Sequence, residues 1–127
     1  MSDPDRPLDM LIVGAGLSGI GAAATFRRRF PESNVAILES RDRLGGTWDL
    51  FRYPGIRSDS DMFTLGFKAM PWRRPLSIAD GQSILDYLQR VARDTSVETL
   101  IRYRKRVVDM QCSSARCEWQ EIGRAHV

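Results

Sequence analysis

Met10-Leu11-Ile12-Val13-Gly14-Ala15-Gly16-Leu17-Ser18-Gly19 joins a short aliphatic run directly to three glycines spaced Gly-x-Gly-x-x-Gly. Asp9 to Val13 reads as a buried strand, the glycines as a tight turn, and the residues from there to about Phe30 as a helix. Pro31 to Asn34 break that helix, and Val35-Ala36-Ile37-Leu38-Glu39 is a second apolar strand that ends on an acid. Strand, turn, helix and strand in this order make a βαβ unit, which requires the two strands to lie parallel.

The chemistry of the turn follows from its residue types. Gly14 permits the tight turn, Gly16 lets a pyrophosphate approach the backbone with no Cβ in the way, and Gly19 lets helix and strand pack closely. Amides at the helix start then face an anion, and Ser18 adds a hydroxyl or amide donor beside them. Glu39 follows Gly19 by twenty residues, at the end of the next strand. A carboxylate there accepts hydrogen bonds from ribose hydroxyls and repels a 2′-phosphate, so the turn is expected to hold FAD or NAD and not NADP. A glycine turn of another α/β protein with an incidental surface glutamate is the plain alternative, and the full strand-turn-helix-strand-acid spacing argues against it.

Outward from this unit the chain becomes irregular. Residues 40–77 are rich in Gly, Pro, Arg and Asp without a sustained period and read as a long functional excursion, with one helical turn near Met62 to Gly66. Asp80 caps an expected helix over Gly81 to Asp94, in which Ile84, Leu85, Leu88 and Val91 form one apolar face. Leu100 to Tyr103, Val107 to Cys112 and Cys117 to Gln120 read as short strands, the last two joined as a hairpin through Ser113 to Arg116. The 127 residues are 43% hydrophobic and 28% charged, ordinary for one globular domain. The net charge of +3 is scattered, with acids among the basic residues, and points to no nucleic acid partner. The longest aliphatic run, Met10 to Val13, is far too short to span a membrane. Asp3, Asp5 and Asp9 stand where a secretory signal carries positive charge, so a cytoplasmic location is expected. Cys112 and Cys117 are too few for a disulfide framework, and no metal site is expected.

After Glu39 come Gly45-Gly46-Thr47-Trp48-Asp49-Leu50, then Arg52-Tyr53-Pro54-Gly55, Arg57-Ser58-Asp59-Ser60-Asp61-Met62 and Ile78-Ala79-Asp80-Gly81. With the opening turn and Glu39, these stretches resemble the flavin-containing monooxygenases. Within them they resemble the Baeyer-Villiger group, close to the branch of the ethionamide-activating monooxygenase. The resemblance implies a Rossmann-like FAD-binding α/β domain with a parallel sheet and a small antiparallel hairpin, truncated at its C-terminus. It implies that Gly46, Thr47, Trp48, Asp49 and Leu50 lie along the flavin side of FAD. Arg57, Ser58 and Asp59 would meet NADPH and flavin, and the Val107 backbone would read the adenine edge. The implied reaction inserts one oxygen atom of O2 into a carbonyl or soft heteroatom of a small organic substrate, through a C4a-peroxyflavin, with FAD reduced by NADPH. The family's second glycine fingerprint, its catalytic arginine and its Phe-x-Gly-x-x-x-His motif are absent from these residues, so no catalytic residue is assigned and the chain alone is expected to be inactive. Another FAD-dependent pyridine-nucleotide oxidoreductase, or a non-catalytic nucleotide-binding fragment, is the alternative.

Several of the same residues have plainer roles open to them. Trp48, Phe51 and Tyr53 could be core aromatics beneath the excursion, and Phe63, Phe67 and Trp72 are expected to be so. Asp61 reads equally as a helix cap. Arg102, Arg104, Lys105 and Arg106 read as a solvated face, and Cys112 and Cys117 as cross-strand neighbours without redox function. Residues 1–7 read as a leader and 8–120 as the FAD-binding domain. Residues 121–127, Glu-Ile-Gly-Arg-Ala-His-Val, are read as a non-native tail, since GAG ATC GGA AGA GCA CAC GTC, a common sequencing-adapter sequence, encodes them. On that reading the lone histidine, His126, has no function.

Overall fold

Val35–Leu38 carries four apolar residues in succession, the pattern of a strand covered on both faces, and it forms the centre of a three-stranded parallel sheet. The structure, a computed structural model, describes residues 6–125. Expectations for residues 1–5 and for His126 and Val127 lie outside the described residues. Strand β1 (Met10–Val13) pairs with β2 (Val35–Leu38) in parallel from Met10 opposite Val35 to Val13 opposite Leu38. Beyond β2 lies β3 (Ile101–Arg102), also parallel, with Ile37 opposite Ile101.

Helix α1 (Leu17–Arg29) returns the chain from β1 to β2 and buries Ile20 and Ala23. Its small residues let it lie close to the sheet, where Ala23 and Ile37 share the core with Ile84, Leu88, Val91 and Val97. The excursion contains two single-turn helices, α2 (Thr47–Leu50) and α3 (Met62–Leu65). Helix α4 (Gly81–Asp94) buries Ile84, Leu85, Leu88 and Val91 as the spacing predicts, and Tyr87 and Ala92 besides. The Asp80 carboxylate accepts from the Ser83 amide at 3.2 Å, the expected N-cap.

The excursion is pinned by polar contacts under an aromatic cluster. Trp72 packs edge-on against Tyr87 at 5.4 Å, and its Nε1 donates to the Leu76 carbonyl. The Tyr87 hydroxyl donates to the Met70 carbonyl and accepts from the Phe67 amide, holding residues 67–70 over α4. Burial pushes the Tyr87 phenol above its ordinary pKa.

Four expectations are corrected. Residues 47–50 form a helical turn where an irregular segment is expected. Trp72 and Phe67 join the core, but Phe63 is 64% exposed, because the Asp61 cap turns α3 so that Met62 faces inward instead. The hairpin strands are longer than expected: β4 (Lys105–Ser113) pairs antiparallel with β5 (Glu118–Ala125), with a bulge between Val107 and Asp109. Cys112 lies opposite Trp119 while Cys117 sits in the turn at φ 52°, so the two thiols are not cross-strand neighbours; both are exposed and free.

Candidate functional site

The site forms where β1 and β2 end and α1 begins. Gly14 has φ +100°, donates its amide to the Leu38 carbonyl at 2.8 Å, and has open space where a Cβ would point. Gly16 is the N-cap of α1, with no side chain capping the first turn, so that turn's amides stay directed outward. Ser18 lies exposed on that turn. At Gly19 a Cβ would stand 1.9 Å from the Gly14 carbonyl oxygen and 3.4 Å from Ile12 Cγ2, which leaves glycine as the residue that fits.

The second glycine pair folds back onto the first. The Gly45 amide donates to the Ala15 carbonyl at 2.9 Å. A Cβ on Gly46 would stand 3.0 Å from the Gly16 Cα, so the two turns meet backbone to backbone. This contact could not be read from either motif alone, since each is local and the approach is tertiary.

Glu39 is 6% exposed at the end of β2. Its Oε1 accepts from the Ala15 amide and its Oε2 from the Arg41 amide, each at 2.9 Å. The carboxylate therefore braces the first turn as well as standing where ribose recognition is expected; Oε2 also accepts from the Ser40 hydroxyl at 3.5 Å, while Oε1 keeps a second lone pair.

Asp49 differs most from its expected role along a flavin. Its carboxylate turns inward, 2% exposed, and is ringed by Arg52 Nη2 at 2.6 Å, Arg41 Nη2 at 2.8 Å and Arg43 Nε at 3.5 Å. Burial alone would raise its pKa, but the Arg52 hydrogen bond and the charges of Arg43 and Arg41 outweigh burial and hold the carboxyl below its usual range. Thr47 and Leu50 are exposed on α2, and Trp48 packs half-buried against the core.

Arg57, Ser58 and Asp59 lie against the start of α4 and not on the glycine turns. The Ser58 amide donates to the Ala79 carbonyl, its buried hydroxyl donates to the Ser60 carbonyl, and the main chain at Arg57 pairs antiparallel with that at Asp80. Arg57 and Asp59 are exposed and line, with Tyr53, Gly55, Ser58 and Ile78, an open cleft of about 590 Å3. Val107 sits on β4 beside the bulge, and β4 reaches the site through the Lys105 amide, which donates to the Glu39 carbonyl at 2.9 Å. The structure thus brings Gly14, Gly16, Gly19, Glu39 and Gly46 into one cluster, with Thr47 to Leu50 next to it. Sequence reasoning missed Arg41 and Arg43: in a stretch rich in arginine nothing marks them, whereas Arg52, three residues after Asp49, has the spacing of a helical ion pair.

A parallel βαβ unit with this turn and a buried acid closing its second strand defines a dinucleotide-binding protein of the Rossmann type. The NAD(P)-binding Rossmann-like domain family matches residues 12–76, and the chain belongs to it. Among curated proteins it is 52% identical over 119 residues to MymA of Mycobacterium tuberculosis, assigned as an FAD-containing monooxygenase, covering 94% of this chain and 24% of that one. It is 50% identical over 112 residues to the FAD-containing monooxygenase EthA of the same organism, covering 88% of this chain and 23% of EthA. The chain thus spans about a quarter of the length of the curated relatives it matches. Among solved structures it superposes on an oxidised steroid monooxygenase bound to NADP with TM-score 0.82 at 27% identity, over 91% of this chain and 23% of that one. OTEMO in complex with FAD and NADP gives TM-score 0.81 at 27% identity, over 94% and 23%. Among the described residues no helix is long and apolar enough to cross a membrane.

Proposed function

We propose that the chain is the FAD-binding N-terminal part of an NADPH-dependent flavin monooxygenase, residues 8–120 forming the nucleotide-binding unit. The observation that carries this is the meeting of two glycine turns at Gly16 and Gly46 over a braced Glu39, next to the open face of Gly14 and the uncapped start of α1. That cradle suits a pyrophosphate: backbone can approach it, first-turn amides donate to it, and the positive end of α1 favours its charge. Relatives named as FAD-containing monooxygenases and solved neighbours holding FAD and NADP support the choice of flavin.

In this reading Gly14, Gly16, Ser18 and Gly19 hold the pyrophosphate, and Glu39 accepts from the adenosine ribose with the lone pair left on Oε1. Gly46, Thr47, Trp48 and Leu50 run beside the flavin, with Asp49 contributing main chain there. Arg57, Ser58 and Asp59 border the cleft where the nicotinamide cofactor docks, and the Val107 backbone meets the adenine. FAD, reduced by NADPH, supplies the reaction with O2 that oxygenates a small organic carbonyl or heteroatom substrate. The protein supplies binding, orientation and exclusion of water. On this reading the chain alone binds the dinucleotide without turnover.

Titrating the 127-residue chain with FAD, followed by flavin fluorescence and visible absorption, tests the reading. Saturable binding without NADPH oxidation is expected, and Glu39→Arg should weaken it at least about tenfold, the scale of one lost charged hydrogen bond. Undiminished binding by Glu39→Arg or Gly16→Val would place the flavin elsewhere.

A further inference from the structure

The carboxylate of Asp49 is more completely surrounded by cations than any other acid among the described residues, and it is buried. Its three partners come from both sides of the second glycine turn: Arg41 and Arg43 from the segment entering it, Arg52 from the segment leaving α2. Arg52 is fixed twice, donating Nε to the Asp49 carbonyl at 3.0 Å and Nη2 to the carboxylate at 2.6 Å. Arg41 reaches from the Asp49 carboxylate to the Gly46 carbonyl at 3.5 Å, so one guanidinium touches both the acid and the turn. The Arg41 amide is in turn held by Glu39, whose other oxygen holds the Ala15 amide of the first turn. An unbroken relay therefore runs from Ala15 through Glu39 and Arg41 to Asp49 and Gly46.

We propose that Asp49 is a positioning residue, the hub of an ionic clasp with Arg41, Arg43 and Arg52 that holds the second glycine turn against the first and so keeps Gly46 in contact with Gly16. Proximity supports this: a Cβ on Gly45 would stand 2.9 Å from the Asp49 Cβ, so displacement of Asp49 moves the residue whose amide ties the turns together. A buried carboxylate is stable only when paired, and the partners gathered here are drawn from the segments that must converge. That the turns so held border the FAD site rests on the function proposed above, whereas the clasp itself does not.

Native-state hydrogen exchange of the full 127-residue chain, read at single amides by NMR, tests the clasp without cofactor. Asp49→Asn should speed exchange of the Gly45 amide about tenfold while leaving Leu88 in α4 unchanged, the size of one lost charged hydrogen bond. Arg41→Gln should do the same, and the double variant should be no faster than either single one, as expected for partners in one interaction. Arg52→Gln keeps the carboxylate paired with Arg41 and should give a smaller acceleration, which preserves the test if Asp49→Asn fails to fold. Unchanged Gly45 exchange in Arg41→Gln and Arg52→Gln, or equal acceleration at Gly45 and Leu88, overturns the proposal. An FAD titration of the same variants forms a second arm, with about tenfold weaker binding expected for Asp49→Asn. If the unaltered chain bound no FAD, the functional reading would fail while the exchange data still decided the clasp.

Discussion

Gly19 shows how strictly a single residue sets this site. Any side chain there points into the Gly14 carbonyl oxygen, 1.9 Å from an ideal Cβ, and the obstacle is backbone that itself forms the turn. Gly19→Ala should therefore cost about 3 kcal/mol, the upper range for forced overpacking, because relief requires the turn to open. A urea midpoint equal to that of the unaltered chain would refute this. The spacing of Gly14, Gly16, Gly19 and Glu39 was legible in the sequence because each requirement is local. The directions of Glu39 and Asp49 were not legible, since both depend on arginine and amide partners from other segments. Asp49 also carries a pH dependence. Its folded-state pKa is depressed, so the stability it contributes is complete above the ordinary carboxylate value of about 3.9 and is lost as pH falls through the lowered one. The stability difference between the unaltered chain and Asp49→Asn should thus be constant near neutral pH and shrink below about pH 4. Paired urea melts across that range measure it, and a difference that grows on acidification would contradict the assignment.

Among the elements, α4 and α2 mark the two ends of legibility. Helix α4 has fourteen residues, an amphipathic repeat and an aspartate cap, so its bounds were readable from Asp80 onward. Helix α2 has four residues and no repeat. Gly46 at φ 55° starts it, and the arginines around Asp49 hold it, neither of which leaves a periodic signal. The same contrast separates Trp72, drawn inward by Tyr87, from Phe63, turned outward by the Asp61 cap. Because α4 depends on its cap as well as its buried face, Asp80→Ala should destabilise the chain by about 1 kcal/mol. Asp80→Asn, which keeps a capping oxygen, should recover most of that loss in thermal melts. Equal losses for the two variants would show that the charge beside Arg74 matters and the Ser83 amide bond does not.

At the scale of the whole molecule the fold divides into a layered body and an arm. Sheet β1-β2-β3, α1 and α4 share one core, whereas β4 and β5 form a separate two-stranded sheet whose Val108, Met110, Trp119 and Ile122 are all exposed. Main-chain hydrogen bonds tie the arm's base to the body where Arg104 donates to Arg41 and Lys105 to Glu39. A two-stranded hairpin whose apolar side chains stay uncovered is marginal in water, so its opening free energy should fall well below that of the body. The base lies at Glu39, so loosening there would disturb the segment that braces the first glycine turn. Hydrogen exchange should therefore give three classes: slow amides in β2 and α4, an intermediate Lys105 amide at the junction, and fast amides from Met110 to Trp119. Protection at Gln111 and Gln120 matching that of Ile37 would mean that arm and body unfold as one cooperative unit, contrary to this division.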